Sequence, residues 1–134
     1  MRFVAISLVT ILTVLAILGT DHNGWPAQRQ LSENLGYFVV TSSVGALLGV
    51  FATQEHYGGE GVLGLVTTVM AFYFATLIGA FVAGTLMFPV VGTFLALLLL
   101  WNVPWSLGHG AIAWWCGALL LHFMTLHLLP VDDE

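Results

Sequence analysis

Charge is what this chain has least of. Its 134 residues include two cationic side chains, Arg2 and Arg29, no lysine, and seven acids, so that only 7% of positions carry a formal charge. A soluble domain usually holds about 25%, which is what coats its surface for water. The shortage is also uneven, because residues 61 to 131 contain no Asp, Glu, Lys or Arg at all. A basic patch is needed to engage phosphates, so nucleic acid is excluded as a partner. Cysteine is nearly absent too. Cys116 is single, which excludes an internal disulfide and any CxxC or Cys/His spacing for zinc or an iron–sulfur cluster.

Apolar residues fill the space that charge leaves. Hydrophobic residues make up 59% of the chain and its mean hydropathy is +0.99, which makes the bilayer the solvent to reason with. A helix crossing a hydrocarbon core of about 30 Å needs roughly 20 apolar residues, with about 17 as the lower limit. Laid along the chain, that ruler marks spans at 3–19, 37–53, 62–83, 88–103 and 110–129. The expected fold class is therefore all-α, a single polytopic helical bundle with five transmembrane helices. The fourth segment is short and follows the third closely, so the alternative is four spans plus a re-entrant or strongly tilted segment near Phe88 to Trp101, with both termini on one side. Gly84, Thr85, Pro89, Pro104, Gly108 and Gly110 punctuate this region, as residues that close or open helices.

Arg2 followed by an apolar stretch also resembles a signal peptide. The run from Phe3 to Gly19 exceeds the 7 to 15 residues of a signal core and has no small-x-small cleavage pattern after it, so an uncleaved first span is expected. Orientation rests on little, since the positive-inside rule counts Lys and Arg. With five spans, a cytoplasmic N-terminus puts Asp21, Glu33 and the acidic tail Asp132, Asp133 and Glu134 outside, and a multi-pass cell-membrane protein with that orientation is expected. Trp25, Trp101, Trp105, Trp114 and Trp115 are expected as headgroup-level anchors. Pro26 could open a short interfacial helix over residues 26–35 with Ala27, Leu31 and Leu35 on its apolar stripe.

In a bilayer, helices associate through close backbone approach and hydrogen bonds. Small residues at helical spacing therefore mark contacts. Gly45 and Gly49 form one such pair, and Gly64, Thr68, Ala71, Ala75, Gly79 and Ala83 form a stripe along the third span. Phe72, Phe74, Phe81, Leu95 and Leu97 to Leu100 are expected to face lipid or another subunit.

Ionisable residues at membrane depth are functional candidates by default, and histidine supplies the only ones here. His122 lies near a span centre. Five alternating spans would set His56 and His109 on one side and His22 and His127 on the other, each a pair of imidazoles with the chemistry to ligate haem iron or a transition metal. The stretch Ala118-Leu119-Leu120-Leu121-His122 resembles the Ala-x-x-x-His element of purple-bacterial antenna polypeptides, a resemblance that implies bacteriochlorophyll on His122. The ordinary role of such a histidine is a hydrogen bond to a carbonyl or Thr of a neighbouring helix. Cofactor binding, by haem or bacteriochlorophyll, is thus weighed below none.

No catalytic constellation stands out. Ser, His and Asp lack a nucleophile-elbow context, and Gly58-Gly59-Glu60-Gly61 has no Lys to make a phosphate loop and reads as a turn. The chain is expected to be no enzyme. It reads as an accessory, structural or assembly subunit of a larger membrane complex, one that carries electron-transfer or photosynthetic cofactors being an example. The alternatives are an oligomeric channel or small-solute transporter, and a haem- or pigment-binding membrane protein. Its expected partners are the lipid bilayer and other membrane protein subunits.

Overall fold

A computed structural model describes residues 1–20, 35–106 and 108–128. Among them the structure is all-helical, with five α-helices: α1 (Arg2–Thr20), α2 (Leu35–Thr53), α3 (Gly61–Met87), α4 (Val91–Asn102) and α5 (His109–His127). Single 3-10 turns, Gln54–His56 and Val103–Trp105, follow α2 and α4. Helices α3 and α5 are long and apolar enough to cross a membrane. The expected interfacial helix at residues 26–35 and the anchor Trp25 fall almost wholly outside the described residues; only Leu35 is described, as the first residue of α2.

Contacts between helices fix their directions. A Cβ added to Gly45 would run into the carbonyl oxygen of Gly79, and one on Gly49 into that of Ala75, so α2 and α3 lie antiparallel with backbones touching. Thr68 pairs with His122 and Thr76 with Trp114, which makes α5 antiparallel to α3. Gly110 faces Ile17 and Gly117 faces Thr13, so α5 is antiparallel to α1 as well.

Helix α4 does not complete the pattern. At 12 residues it extends about 18 Å, short of the roughly 30 Å hydrocarbon core. It leaves α3 through a tight turn in which Val91 N–H donates to Pro89 O at 2.9 Å and Gly92 N–H to Phe88 O at 2.8 Å. Val90 holds φ at 70° there, a left-handed conformation that a β-branched residue adopts only under constraint. Gly84 and Gly92 let the two backbones meet just beyond the turn, and the hydroxyls of Thr85 and Thr93 bond at 2.8 Å. From there α4 runs back along α3 only as far as Tyr73, whose ring lies 5.9 Å from that of Trp101. The chain then reverses again and enters α5.

That reversal corrects the expected arrangement of histidines. Because α4 stops part-way along α3, α5 runs opposite to α1. His127 therefore lies at the end where α1 begins, the end that also carries the loop of His56, and His109 lies at the end where α1 finishes.

The core is built of Ile6, Val9, Ile17, Val50, Tyr57, Ala71, Phe72, Trp114, Ala118 and Leu121. Phe74, Phe81, Leu95 and Leu98 are exposed as expected, but Phe72 is fully buried, stacked at a tilt against Trp114 with ring centroids 5.3 Å apart.

Candidate functional site

Hydroxyl groups are the main polar content of the interior. Thr10, Thr13, Thr41, Thr53, Thr68, Thr76 and Thr125 are all buried. Most return their proton to their own helix: Thr10 to Ile6 O at 2.9 Å, Thr13 to Val9 O at 2.8 Å, Thr53 to Gly49 O at 3.0 Å and Thr125 to Leu121 O at 2.7 Å. A Thr bonded this way satisfies its hydroxyl within the helix and presents its methyl to the neighbour.

Among the described residues two side-chain hydrogen bonds cross from α3 to α5. Thr68 Oγ1 lies 3.4 Å from His122 Nδ1, and the indole Nε1 of Trp114 donates to Thr76 Oγ1 at 3.4 Å. If Nδ1 of His122 donates to Thr68, Nε2 is the ring nitrogen that carries the lone pair; if Nδ1 accepts, Nε2 carries the proton. Ala118, one turn earlier, is wholly buried in the core. Among the described residues no three His, Cys, Asp or Glu side chains gather closely enough to hold a metal ion; His22 lies outside those residues.

The residues of the expected packing stripe sit on α3 as follows. Gly64, Thr68, Ala71, Ala75 and Gly79 are buried and Ala83 is half-buried. Ala75 and Gly79 meet Gly49 and Gly45 of α2, Thr68 turns to α5, and Gly64 meets the backbone of Gly59 in the preceding loop.

Of the described tryptophans Trp114 is buried and the others are exposed, and Trp101, Trp114 and Trp115 meet with Tyr73 in one aromatic group. Trp114 is buried, with Trp115 5.1 Å away and Tyr73 6.1 Å away in edge-on geometry. Trp115 Nε1 donates to the carbonyl of Pro104 at 3.0 Å, and the Tyr73 hydroxyl to that of Trp101 at 3.4 Å. Trp101 and Trp105 are exposed. The aromatic cluster thus ties the turn after α4 to the middle of α3 and to α5, a role that sequence spacing alone does not show.

A second polar group closes one end of the bundle. The Arg2 guanidinium donates to the carbonyl of Tyr57 and occupies the space where a Cβ on Gly58 would stand, at a backbone φ of 92°. The carbonyl of Thr125 lies beside the same glycine. Burial pushes the Tyr57 phenol up to about 12, while its hydrogen bond with Thr53 at 3.3 Å pulls the other way. Three segments far apart in sequence, the start of α1, the loop before α3 and the end of α5, meet in this clasp.

No family profile, curated protein or solved structure matches the chain.

Proposed function

We propose that this is an integral membrane protein that serves as an accessory or assembly subunit of a larger membrane complex. In this reading α1, α2, α3 and α5 cross the bilayer. Helix α4 enters from the side where α3 ends, turns at Val103–Trp105 and leaves by the same side, so both ends of the described chain lie together. Support for the bilayer comes from the 71 positions without formal charge, residues 61 to 131, and from the inside-out distribution of size. Large apolar side chains such as Leu12, Val40, Phe74, Phe81, Ile112 and Phe123 are all more than half exposed, whereas the seam between α2 and α3 uses Gly and Ala.

The observation that carries the role is how the interior polar groups are used. Most of the buried threonine hydroxyls, the indoles of Trp114 and Trp115, and His122 bond to neighbouring segments or to their own backbone, with the buried hydroxyl of Ser7 the exception; this suits a scaffold, and the outer surface is broad and apolar. Purification at native expression in mild detergent tests this: a stable complex with other membrane subunits is expected. Recovery as a lone monomer would overturn it. Tags at the two termini, probed in intact cells, should be accessible from the same side.

A second reading is an oligomeric channel or small-solute transporter, and the half-length helix α4 is the feature that favours it, since broken helices mark such proteins. Flux of a labelled solute or ion into proteoliposomes, absent from empty vesicles, would bring it forward.

A further inference from the structure

Helix α4 is held by different means at its two ends. Where it finishes, the ring of Trp101 lies 5.9 Å from that of Tyr73, the Tyr73 hydroxyl donates to the carbonyl of Trp101 at 3.4 Å, and Trp115 Nε1 donates to that of Pro104 at 3.0 Å. Where it begins, Gly84 meets the carbonyl of Gly92 and the Cβ of Ala96, and the hydroxyls of Thr85 and Thr93 bond at 2.8 Å. These last contacts hold a strained turn shut. Val91 N–H donates to Pro89 O, two residues back, around Val90 at φ 70°, which is the γ-turn with a positive central φ, a rare and strained form. A β-branched residue tolerates that region least. The Val90 side chain is 68% exposed, so no packing of its own fixes the conformation. Nor does a second helix brace this end, since among the described residues α4 packs along α3 and makes no comparable contact with α1, α2 or α5.

We infer that α4 is a pivoting arm: it swings about the end held by Tyr73 and Trp115, released by the return of Val90 to negative φ, so that Gly92 leaves Gly84. The inference rests on the membrane reading above. In water, lifting an apolar helix off its neighbour would expose both to solvent. In a bilayer, lipid tails as apolar as leucine take the neighbour's place, and what is lost is close packing and hydrogen bonding. At the start of α4 the hydrogen-bonding loss is the Thr85–Thr93 pair, and relief of the strain at Val90 opposes it. Residues 88–90, which join α3 to α4, reach about 10 Å when extended, enough for the motion with both helices intact. The open position uncovers Gly84 and Thr85 on α3 and Gly92 and Thr93 on α4, a surface of the small and hydroxylic kind through which membrane helices associate. The closed position masks it. The arm therefore sets whether that seam is available.

Pulsed electron spin resonance on the full chain in lipid nanodiscs tests this, with spin labels on cysteines placed in a Cys116→Ala background. Labels at Phe94→Cys near the start of α4 and Leu12→Cys on α1, both exposed sites, should give two distances, one for each position of the arm. Labels at Leu48→Cys on α2 and Leu12→Cys should give one. Thr85→Val with Thr93→Val should raise the ratio of open to closed about threefold, the scale of one interhelical hydrogen bond. Added to that variant, Val90→Gly relieves the strain of the closed turn and should lower the ratio severalfold. The proposal is overturned if the Phe94 pair gives a single distance as narrow as the control with and without the two Thr substitutions, or if Val90→Gly fails to lower the ratio. Alkaline carbonate separates the two levels of inference: a chain retained in native membranes but with one arm position defeats the arm alone, whereas a chain released by carbonate defeats the membrane reading with it.

Discussion

Helix α3 is held on its two flanks by opposite means. Against α2 it presents Ala75 and Gly79 to Gly49 and Gly45, and the nearest atoms across that seam are backbone carbonyls. Against α5 it presents Thr68, Phe72 and Thr76, and the contacts run through the side chains of His122 and Trp114. A backbone contact has no rotamer to yield, so any added atom must move a helix. A side-chain contact can lose an atom and relax. The two seams should therefore answer mutation very differently, even though both bury small or hydroxylic residues of one helix.

The largest effect is expected at Gly49. Its Cβ position coincides with the carbonyl of Ala75, so Gly49→Leu must separate α2 from α3 along the seam. Overpacking in a well-packed core costs about 1–3 kcal/mol and occasionally more. Here the obstacle is backbone, which puts Gly49→Leu beyond the upper end of that range. Thermal denaturation in detergent, followed by circular dichroism, should show a large loss of stability or no folded protein. Gly45→Leu should act in the same direction. If either variant melted like the native chain, α2 and α3 would not be in backbone contact and the contrast between seams would fail.

Part of this arrangement is legible in the sequence. The apolar ruler finds each helix to within a few residues at most ends, and of the small residues at helical spacing Ala75 and Gly79 meet Gly49 and Gly45 of α2. The fate of α4 is not legible by the same means. Hydropathy reports that a residue prefers lipid to water but not how deep it sits, so a 12-residue helix that turns back and a short tilted span present the same composition. Pro104 and Gly108 mark the reversal only as punctuation, as do Gly84, Pro89 and Gly110 nearby. The alternation of spans, the pairing of His56 with His109, and the argument from the acidic tail for a cytoplasmic N-terminus all rest on five crossings, whereas among the described residues α3 and α5 are the helices long and apolar enough to cross. Phe72 illustrates a second limit: α3 is apolar on every side, so nothing in its periodicity separates the buried Phe72 from the exposed Phe74. Its partner Trp114 is 42 positions away, counting from the residue numbers.

Next in size is Trp114→Phe. The change keeps a ring against Phe72 but removes the indole N–H that reaches Thr76, and the smaller ring leaves part of the site empty. Partial truncation of a buried side chain, with one hydrogen bond lost, should cost about 1–2 kcal/mol, measurable as a lower midpoint in the same melt. A loss as great as that of Gly49→Leu would mean that the aromatic seam is as rigid as the glycine seam.

The smallest effect is expected where α3 and α5 touch through Thr68 and His122. At 3.4 Å this bond is at the long end of hydrogen-bond geometry, and double-mutant cycles in membrane helices average about 0.6 kcal/mol for interhelical bonds. Thr68→Val keeps the shape of the residue and removes the hydroxyl. Paired with His122→Phe in a double-mutant cycle, it should give a coupling near or below about 0.6 kcal/mol, because both partners can relax and Thr68, like its neighbours, has its own helix carbonyls to turn to. The reason to measure so small a number is that it decides what His122 is for. A weak coupling leaves His122 as one modest link in a seam dominated by packing against Trp114. A coupling several times larger would require Nδ1 to be held firmly by Thr68, fixing the tautomer and aiming Nε2, which is what a ligating imidazole needs and a packing residue does not.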